Sequence, residues 1–156
     1  MRKFSQYAGK PVIDCKTGSL IGKCEMLIPS SGTKKVSSIK IKPAGLFKRP
    51  IYIDASSVKV YGDVSIIMDS GSVKIVEKTP SPIDASVYDT SGRLLGYVSD
   101  YVFDEKDGAI CQLIVRHGLF EDLAYGRSGY SDFALTELRG ESAYITEYNR
   151  LKEVTL

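Results

Sequence analysis

The sequence has no tryptophan, a single histidine and only three cysteines among its 156 residues. No two cysteines form a Cys-x-x-Cys pair, which fits a reducing compartment. No apolar run approaches the roughly 18 residues of a membrane-spanning helix. The basic residues of the N-terminus have no apolar stretch behind them, so we expect no secretory signal. We therefore expect a cytoplasmic protein without a membrane span.

Residues that could support catalysis or metal binding are correspondingly few. Cys15, Cys24, Cys111 and His117 together would make a zinc ligand set, but Cys15 and Cys24 are nine residues apart, whereas zinc ligands usually pair two to four residues apart. No nucleophile motif of the Gly-x-Ser-x-Gly type accompanies His117, and no glycine-rich phosphate loop is present. We expect no catalytic residue, no metal and no cofactor.

The clearest positive feature is an internal repeat. The segment Gly18–Gly22 returns later in the chain as Gly92–Gly96, preceded in the two copies by Val12–Thr17 and Ser86–Ser91. We call the separation of Gly18 from Gly92 the repeat offset. Each copy reads as strand, glycine turn and strand. The first glycine supplies the positive φ of a hairpin turn, and the second indicates a bulge or a close backbone contact.

Alternating apolar residues predict short strands in both copies. Ile39 and Ile41 alternate with lysines, and Leu113 and Val115 follow them at the same repeat offset. Asp107-Gly108 is a strong hairpin signal, so we expect Gly108 to be a structural turn glycine, like Gly18, Gly22, Gly92 and Gly96. No long segment has the periodicity of an amphipathic helix. We predict an all-β protein made of small barrels.

Later segments carry weaker signals. We expect Val64–Met68 to form a hairpin with Val73–Val76 across the turn at residues 69–72. Tyr52 matches Tyr125 at a separation one position shorter than the repeat offset. The tail, Glu147–Leu156, is compatible with a short helix or an added strand.

The repeat and the charge together predict two domains. Residues 1–78 form the first, residues 79–83 a short proline-containing linker, and residues 84–156 the second with a C-terminal tail. Residues 1–78 carry 14 Lys and Arg against 6 Asp and Glu, a net of +8, whereas residues 79–156 carry 7 against 13, a net of −6. Drift of surface residues explains this asymmetry as well as two other causes do, namely mutual attraction between the copies, within or between chains, and a basic first half that meets an acidic partner. Attraction between chains would cause self-association.

The residues resemble a known family, the PRC-barrel domain, which occurs in the H subunit of the photosynthetic reaction centre and at the C-terminus of a ribosome maturation factor. The resemblance rests on the pattern Gly-x-Pro-Val-Ile-Asp-x-x-x-Gly-x-x-x-Gly of residues 9–22 and on Tyr52-Ile53, Val58, Tyr61-Gly62-Asp63 and Val64. It covers residues 9–69 and 84–146 as two tandem copies, of which the second lacks the leading Gly-x-Pro. It implies one small β-barrel per copy and a non-enzymatic scaffold or adaptor that docks on other macromolecules.

Two kinds of partner fit the sequence. Large apolar residues follow glycines at strand ends in both copies and favour an unidentified protein partner. Capping of the barrel ends, or burial between the copies, explains them at least as simply. The candidate partner-binding residues are Leu46, Phe47, Lys48, Arg49, Leu119 and Phe120. The alternative is a ribosome- or RNA-associated accessory protein that uses a basic stretch of the first copy. That stretch contains Lys34, Lys35, Lys40, Lys42, Lys48 and Arg49.

Overall fold

The fold is described from a computed structural model. It describes residues 1–30, 33–46, 48–78, 83–118, 122–123, 126–131, 133–138, 141–146 and 151–152. The elements in these ranges are strands, three short 3-10 turns and a helical pair of residues at 122–123, so the predicted all-β class is confirmed. No helix in the described ranges has the length and apolar character needed to cross a membrane.

The first unit is a six-stranded sheet. Its strands are β2 (Pro11–Asp14), β3 (Leu20–Pro29), β4 (Val36–Pro43), β5 (Ile51–Asp54), β6 (Val58–Tyr61) and β7 (Ile66–Met68). They lie in the order β5-β4-β3-β2-β7-β6, in which only β2 and β7 are parallel.

The second unit is built in the same way. Its strands are β8 (Ser86–Asp89), β9 (Leu94–Phe103), β10 (Ile110–Arg116), β11 (Ser128–Tyr130), β12 (Phe133–Leu138), β13 (Glu141–Thr146) and β14 (Leu151–Lys152). Their order is β12-β13-β8-β9-β10-β11-β14, and a short strand β1 (Arg2–Lys3) also pairs with β9. From β11 to β12 this order repeats that of the first unit from β5 to β6, including the single parallel pair, β8 and β13.

Alternation explains the central strands. Ile39 and Ile41 of β4, and Leu113 and Val115 of β10, are all fully buried. Ile39 pairs with Leu27 of β3, and Leu113 pairs with Tyr101 of β9. Tyr101 follows Leu27, and Leu113 follows Ile39, by the repeat offset. The offset therefore holds for β3 and β4 and for their equivalents, β9 and β10.

The offset fails by one position at β2 and β8. Val12 lies opposite Gly22, whereas Val87 lies opposite Gly96, so these two strands correspond at a separation one position longer than the repeat offset. The turn before Leu94 is one residue shorter than the turn before Leu20. The structural equivalent of Asp14 is therefore Asp89, and the alignment of Asp14 with Tyr88 implied by a constant offset is wrong.

The predicted hairpin of Val64–Met68 with Val73–Val76 is also wrong. Strand β7 pairs instead with β6 and β2. A 3-10 turn at Ser70–Ser72, capped by the Asp69 carboxylate, leads the chain away from β7. Ile75 then bridges to Ile53 of β5, because the exposed edge of β5 offers unpaired backbone groups.

The match of Tyr52 with Tyr125 does not describe the fold. Tyr52 lies opposite Lys40 in the first unit, and the corresponding pair in the second unit is Gly129 opposite Ile114. Gly129 therefore occupies the position of Tyr52, and Tyr125 lies outside the described residues. In the tail, Leu151–Lys152 is an added strand that pairs with β11.

One hydrophobic core runs through both units. An aromatic cluster joins them, in which the Tyr7 ring lies 5.9 Å from Tyr61 of the first unit and 5.4 Å from Phe103 of the second. Phe4 packs on Tyr101 and Phe103 at 4.9 and 5.1 Å. The N-terminal segment therefore contributes side chains to the burial between the two sheets.

Candidate functional site

The two units meet along a backbone seam, formed by Lys34–Val36 of the first unit and Gly108–Ile110 of the second. Lys35 forms an antiparallel bridge with Ala109. The Val36 N–H donates to the Gly108 carbonyl at 2.9 Å, and the Ile110 N–H donates to the Lys34 carbonyl at 2.7 Å. The seam is therefore made by the residues that connect β3 to β4 and β9 to β10.

Opposite charges flank this seam. Arg2 contacts Glu105 at 2.9 Å and also pairs with Asp63, while Lys35 lies 3.8 Å from Asp107. Burial opposes ionisation of Glu105, but hydrogen bonds from the N-terminal ammonium and Arg2 lower its pKa overall. Basic groups from the start of the chain thus hold the acidic tip of the β9–β10 hairpin, and part of the charge asymmetry serves contacts within the chain.

A groove of about 160 Å³ lies beside the N-terminal segment. Strands β3 and β9 line it with Met26, Leu27 and Asp100. The Asp100 carboxylate accepts hydrogen bonds from the Ser5 N–H at 3.2 Å and the Tyr101 N–H at 2.8 Å, and from the Ser5 hydroxyl. The Asp100 acceptors are used within the protein, and Glu25, which also lines the groove, pairs with Lys40 at 2.9 Å, so neither described carboxylate of the groove requires a ligand.

The predicted partner-binding residues fall into two groups. Leu46 is 87% exposed, and Lys48 and Arg49 are exposed as well. Capping of the barrel end therefore does not explain Leu46. The other candidates, Phe47, Leu119 and Phe120, lie outside the described residues.

Strand pairing places further exposed residues near Leu46. The Ala44 N–H donates to the Ile21 carbonyl at 3.0 Å, which brings Leu20, 51% exposed, to the same end of the sheet. Lys23 and Lys42 lie directly opposite each other on β3 and β4, and both are exposed. Among the described residues no carboxylate lies within ion-pair distance of either lysine. Like charges in directly opposed positions destabilise a sheet.

The rest of the predicted basic stretch is engaged within the protein. Lys34 lies 4.7 Å from the centre of the Phe133 ring, Lys35 pairs with Asp107, and Lys40 contacts Glu25 at 2.9 Å. The stretch is therefore divided, and only its part around Lys42, Lys48 and Arg49 faces solvent without a described carboxylate or aromatic partner.

The repeated glycines have two different roles. Gly18 and Gly92 have φ values of +69° and +83°, and Gly108 has a φ of +73°. Gly22 and Gly96 allow close approach, because a Cβ at these positions would lie 2.3 Å from the Lys42 carbonyl oxygen and 2.2 Å from that of Arg116. Gly96 also has a positive φ, of +152°. Any larger side chain at Gly22 would push β3 away from β4, and any larger side chain at Gly96 would push β9 away from β10.

Two buried carboxylates, which the sequence reading missed, hold the equivalent turns. Asp14 accepts hydrogen bonds from the Thr17 hydroxyl at 2.6 Å and from the Ser70 N–H at 3.0 Å. Asp89 accepts from the Ser91 and Arg93 N–H groups at 3.0 and 2.9 Å. The Thr17 hydroxyl lowers the pKa of Asp14, and the Ser91 hydroxyl lowers that of Asp89. The sequence signal was an aspartate shortly before a serine, threonine or glycine turn.

His117 has a serine within hydrogen-bond reach. Its Nδ1 lies 2.6 Å from the Leu95 carbonyl oxygen and its Nε2 lies 2.7 Å from the Ser128 hydroxyl. Because the carbonyl only accepts, Nδ1 carries a proton, and in the neutral ring Nε2 accepts from the hydroxyl. Ser128 is only 1% exposed, so a substrate does not reach it. The arrangement ties β9, β10 and β11 together and is a structural contact.

The cysteines occupy separate environments. Cys15 is exposed, Cys24 is buried and Cys111 is half-buried. Burial raises the pKa of Cys24 to about 12, which keeps its thiol neutral. Within the described ranges, Asp14, Cys15 and Asp69 are the one group of three candidate ligands whose ligand atoms lie within 4.8 Å of one another. Its carboxylates already accept hydrogen bonds from Thr17, Ser70, Gly71 and Lys16.

The second half of the chain matches a known protein family. Residues 76–146 match the family model of the PRC-barrel domain. This part of the chain is similar to the PRC-barrel family, as the resemblance of its residues implied. The match covers strands β8 to β13, which repeat the strand order of the first unit. No match was found among the curated proteins compared.

Proposed function

We propose that the protein is a non-enzymatic adaptor that docks on another protein, and that its first unit is a second PRC-barrel domain. The identical strand order of the two units supports the assignment of the first unit. We propose as the docking face the exposed end of the first unit, formed by Leu20, Lys23, Lys42, Leu46, Lys48 and Arg49.

The observation that carries this proposal is the exposed leucine pair beside an opposed lysine pair. Leu20 and Leu46 expose large apolar side chains at the same end of the sheet as Lys23 and Lys42. Grouped exposed apolar residues are typical of interaction sites. A partner that brings carboxylates would relieve the repulsion between the lysines, which disfavours the unbound state. The face therefore fits an acidic protein segment with apolar anchor residues.

The test is affinity recovery of the tagged protein from a lysate of its source, with and without nuclease. The variant Lys42→Glu/Leu46→Ser should lose the recovered proteins by at least about tenfold, because a charge reversal and a lost apolar anchor each weaken an interface. Its thermal stability should remain near that of the wild type, since both side chains are exposed.

The control variant lies in the second unit, at the equivalents of Leu20 and Lys42, because Leu119 lies outside the described residues. Leu94 corresponds to Leu20, and Arg116 corresponds to Lys42. The variant Leu94→Ser/Arg116→Glu changes the charge by the same amount and should keep the recovered proteins. Recovery of the same proteins by both variants would contradict the proposed docking face.

RNA or DNA is the alternative partner. It is favoured by the same cations, since Lys23, Lys42, Lys48 and Arg49 are exposed without a described carboxylate partner. Four phosphate contacts to a single strand would give a slope of log affinity against log salt of about −3. Loss of all recovered material with nuclease, together with such a slope, would replace the protein partner with nucleic acid.

A further inference from the structure

The seam between the units has the geometry of a twofold interface. Lys35 pairs with Ala109, which is its own equivalent at the repeat offset. The two seam hydrogen bonds are also equivalent, because exchanging the units converts Val36 N–H to Gly108 O into Ile110 N–H to Lys34 O. A contact in which each surface meets its own copy is isologous, as in a twofold-symmetric dimer.

The described parts of the connections that form the seam share a hydrogen bond and a residue with positive φ. The Ser30 N–H donates to the Lys35 carbonyl at 2.7 Å, and the Asp104 N–H donates to the Ala109 carbonyl at 2.8 Å. Lys34 has a φ of +47°, an uncommon value for lysine, and its equivalent, Gly108, has a φ of +73°. The seam therefore keeps the geometry of two matching hairpin connections even where one lacks the glycine.

The N-terminal segment extends the same contact. Arg2 and Lys3 pair with Phe103 and Val102 of β9, so a segment that precedes the first unit adds a strand to the second. The residues that form the seam and the added strand all lie outside the segment that joins the two units. Each unit presents a complete surface to the other.

We propose that the seam also accepts the complementary unit of a second copy of the chain, giving a closed dimer in which the two chains exchange units. In such a dimer the first unit of each chain makes with the second unit of its partner the contacts seen here within one chain. Within a chain the units meet at an effective concentration in the millimolar range, so exchange competes at high protein concentration or during refolding. This inference is independent of the docking face.

The charges determine which units pair. Pairing of two first units would place Lys35 opposite a second Lys35, because the bridge joins equivalent residues. Pairing of two second units would leave Glu105 and Asp107 without Arg2 and Lys35. Unlike units keep both ion pairs, and like-charge contacts disfavour the other pairings. Two chains that exchange units pair every unit with an unlike unit and leave no seam open, so the dimer is closed.

The experiment uses two full-length variants with opposite charge reversals. One carries Arg2→Glu and Lys35→Glu in the first unit, and the other carries Glu105→Lys and Asp107→Lys in the second. Each variant alone has mismatched charges within the chain. When the two are refolded together, the reversed first unit of one fits the reversed second unit of the other, and the remaining two units keep the wild-type pairing.

We expect the refolded mixture to double its mass, measured by light scattering and native mass spectrometry, as a one-to-one heterodimer. Each variant refolded alone at the same concentration should keep the mass of one chain. A mixture that stays monomeric would overturn the proposal. Equal dimer formation by each variant alone would overturn the charge selection.

The chain with all four substitutions is the matched control. Its reversed charges are complementary at the Arg2–Glu105 and Lys35–Asp107 pairs, whereas Asp63 and the N-terminal ammonium keep their charges, so it should regain part of the thermal stability that the two variants lose. It should also form no heterodimer with either of them above the level that each forms alone. If it is as unstable as the two variants, the ion pairs do not govern pairing, and the proposal fails on that point.

Discussion

The two units have the same strand order but carry opposite charges. Their buried positions correspond closely, since Ile39 and Ile41 occupy the places of Leu113 and Val115. Their surfaces differ, because Lys23 and Lys42 lie where the second unit has Tyr97 and Arg116. The comparison shows that burial and backbone contact preserve the fold, whereas the exposed residues are free to specify different contacts.

The exposed pairs illustrate this difference. Arg116 lies 5.7 Å from the centre of the Tyr97 ring, which attracts the guanidinium, and it also contacts Asp84 at 2.7 Å. At the equivalent positions, the first unit opposes two lysines. One face is satisfied within its own unit, and the other presents uncompensated positive charge.

At two turns the units share a left-handed backbone conformation although the residue differs. Gly9 has a φ of +84°, and its equivalent, Asp84, has a φ of +70°. Gly108 and Lys34 form a second such pair, with φ values of +73° and +47°. At each of these turns the fold holds a non-glycine residue in the left-handed region, where only glycine is unstrained.

The largest effect is expected at the glycines where two strands touch. Gly22→Ala and Gly96→Ala would place a Cβ 2.3 and 2.2 Å from a backbone carbonyl oxygen. Because backbone atoms must move, each should destabilise its unit by more than about 2 kcal/mol. Chemical denaturation measured for both variants tests this, and Gly96→Ala should lose more stability than Gly22→Ala because Gly96 also has a φ of +152°.

The controls are Gly18→Ala and Gly92→Ala. No heavy atom lies within 4 Å of a Cβ at either position, so only the positive φ opposes alanine. These variants should cost about 1 kcal/mol. If Gly22→Ala were no worse than Gly18→Ala, close strand approach would not be the reason for the second glycine.

A smaller effect is expected from the turn carboxylates. Asp14→Ala and Asp89→Ala remove acceptors from the hydrogen bonds of Thr17, Ser70, Ser91 and Arg93. Each should lower Tm by about 5 °C, as a lost capping interaction does in a small domain. Differential scanning calorimetry of the two variants measures the loss for each unit separately.

The same residues make stability depend on acid pH. The pKa of each carboxyl is lowered in the folded state, so its contribution is complete above the unfolded value of about 4 and is lost as pH falls below it. Asp14→Asn and Asp89→Asn keep an acceptor oxygen but cannot titrate. Their stability should fall less steeply than that of the wild type below about pH 4, and an unchanged slope would contradict this explanation.

The smallest effect is a gain. Lys34→Gly and Asp84→Gly each restore the residue that the other unit has at the equivalent left-handed position. Each should stabilise the protein by up to about 1 kcal/mol, because the backbone strain of a non-glycine residue is removed. Loss of the contacts of Lys34 with Phe133 and of Asp84 with Arg116 reduces this gain. Thermal denaturation measures the balance. A loss greater than about 1 kcal/mol in both variants would show that their side chains matter more than their backbone strain.

Much of the first half of each unit was predictable from the sequence. Alternation identified β4 and β10, because one face of each strand is buried and the other is not. The later elements were not predictable in the same way. The sequence around Ile75 is compatible with pairing to β7, and only the turn capped by Asp69 directs it to β5. Tyr52 and Tyr125 share a residue type, but the register of β11 gives that position to Gly129.

The candidate site was predictable in part. Leu46, Lys48 and Arg49 are exposed, as a docking role requires, but sequence reasoning treated all six cations of the stretch alike. It did not separate Lys35 and Lys40, which pair with Asp107 and Glu25, from Lys42. Ion pairs between residues far apart in the chain follow from folding and leave no local signal.

The sequence by itself determined the repeat, the all-β class and the glycine turns, because these depend on residues close together in the chain and on the period of burial. Only the tertiary structure decided how the two units meet, which charges remain exposed and that Lys35 pairs with its own equivalent, Ala109. The reason is that a seam between separate sheets depends on contacts between residues that are distant in the chain. Such contacts arise from surface complementarity, which local sequence patterns do not encode.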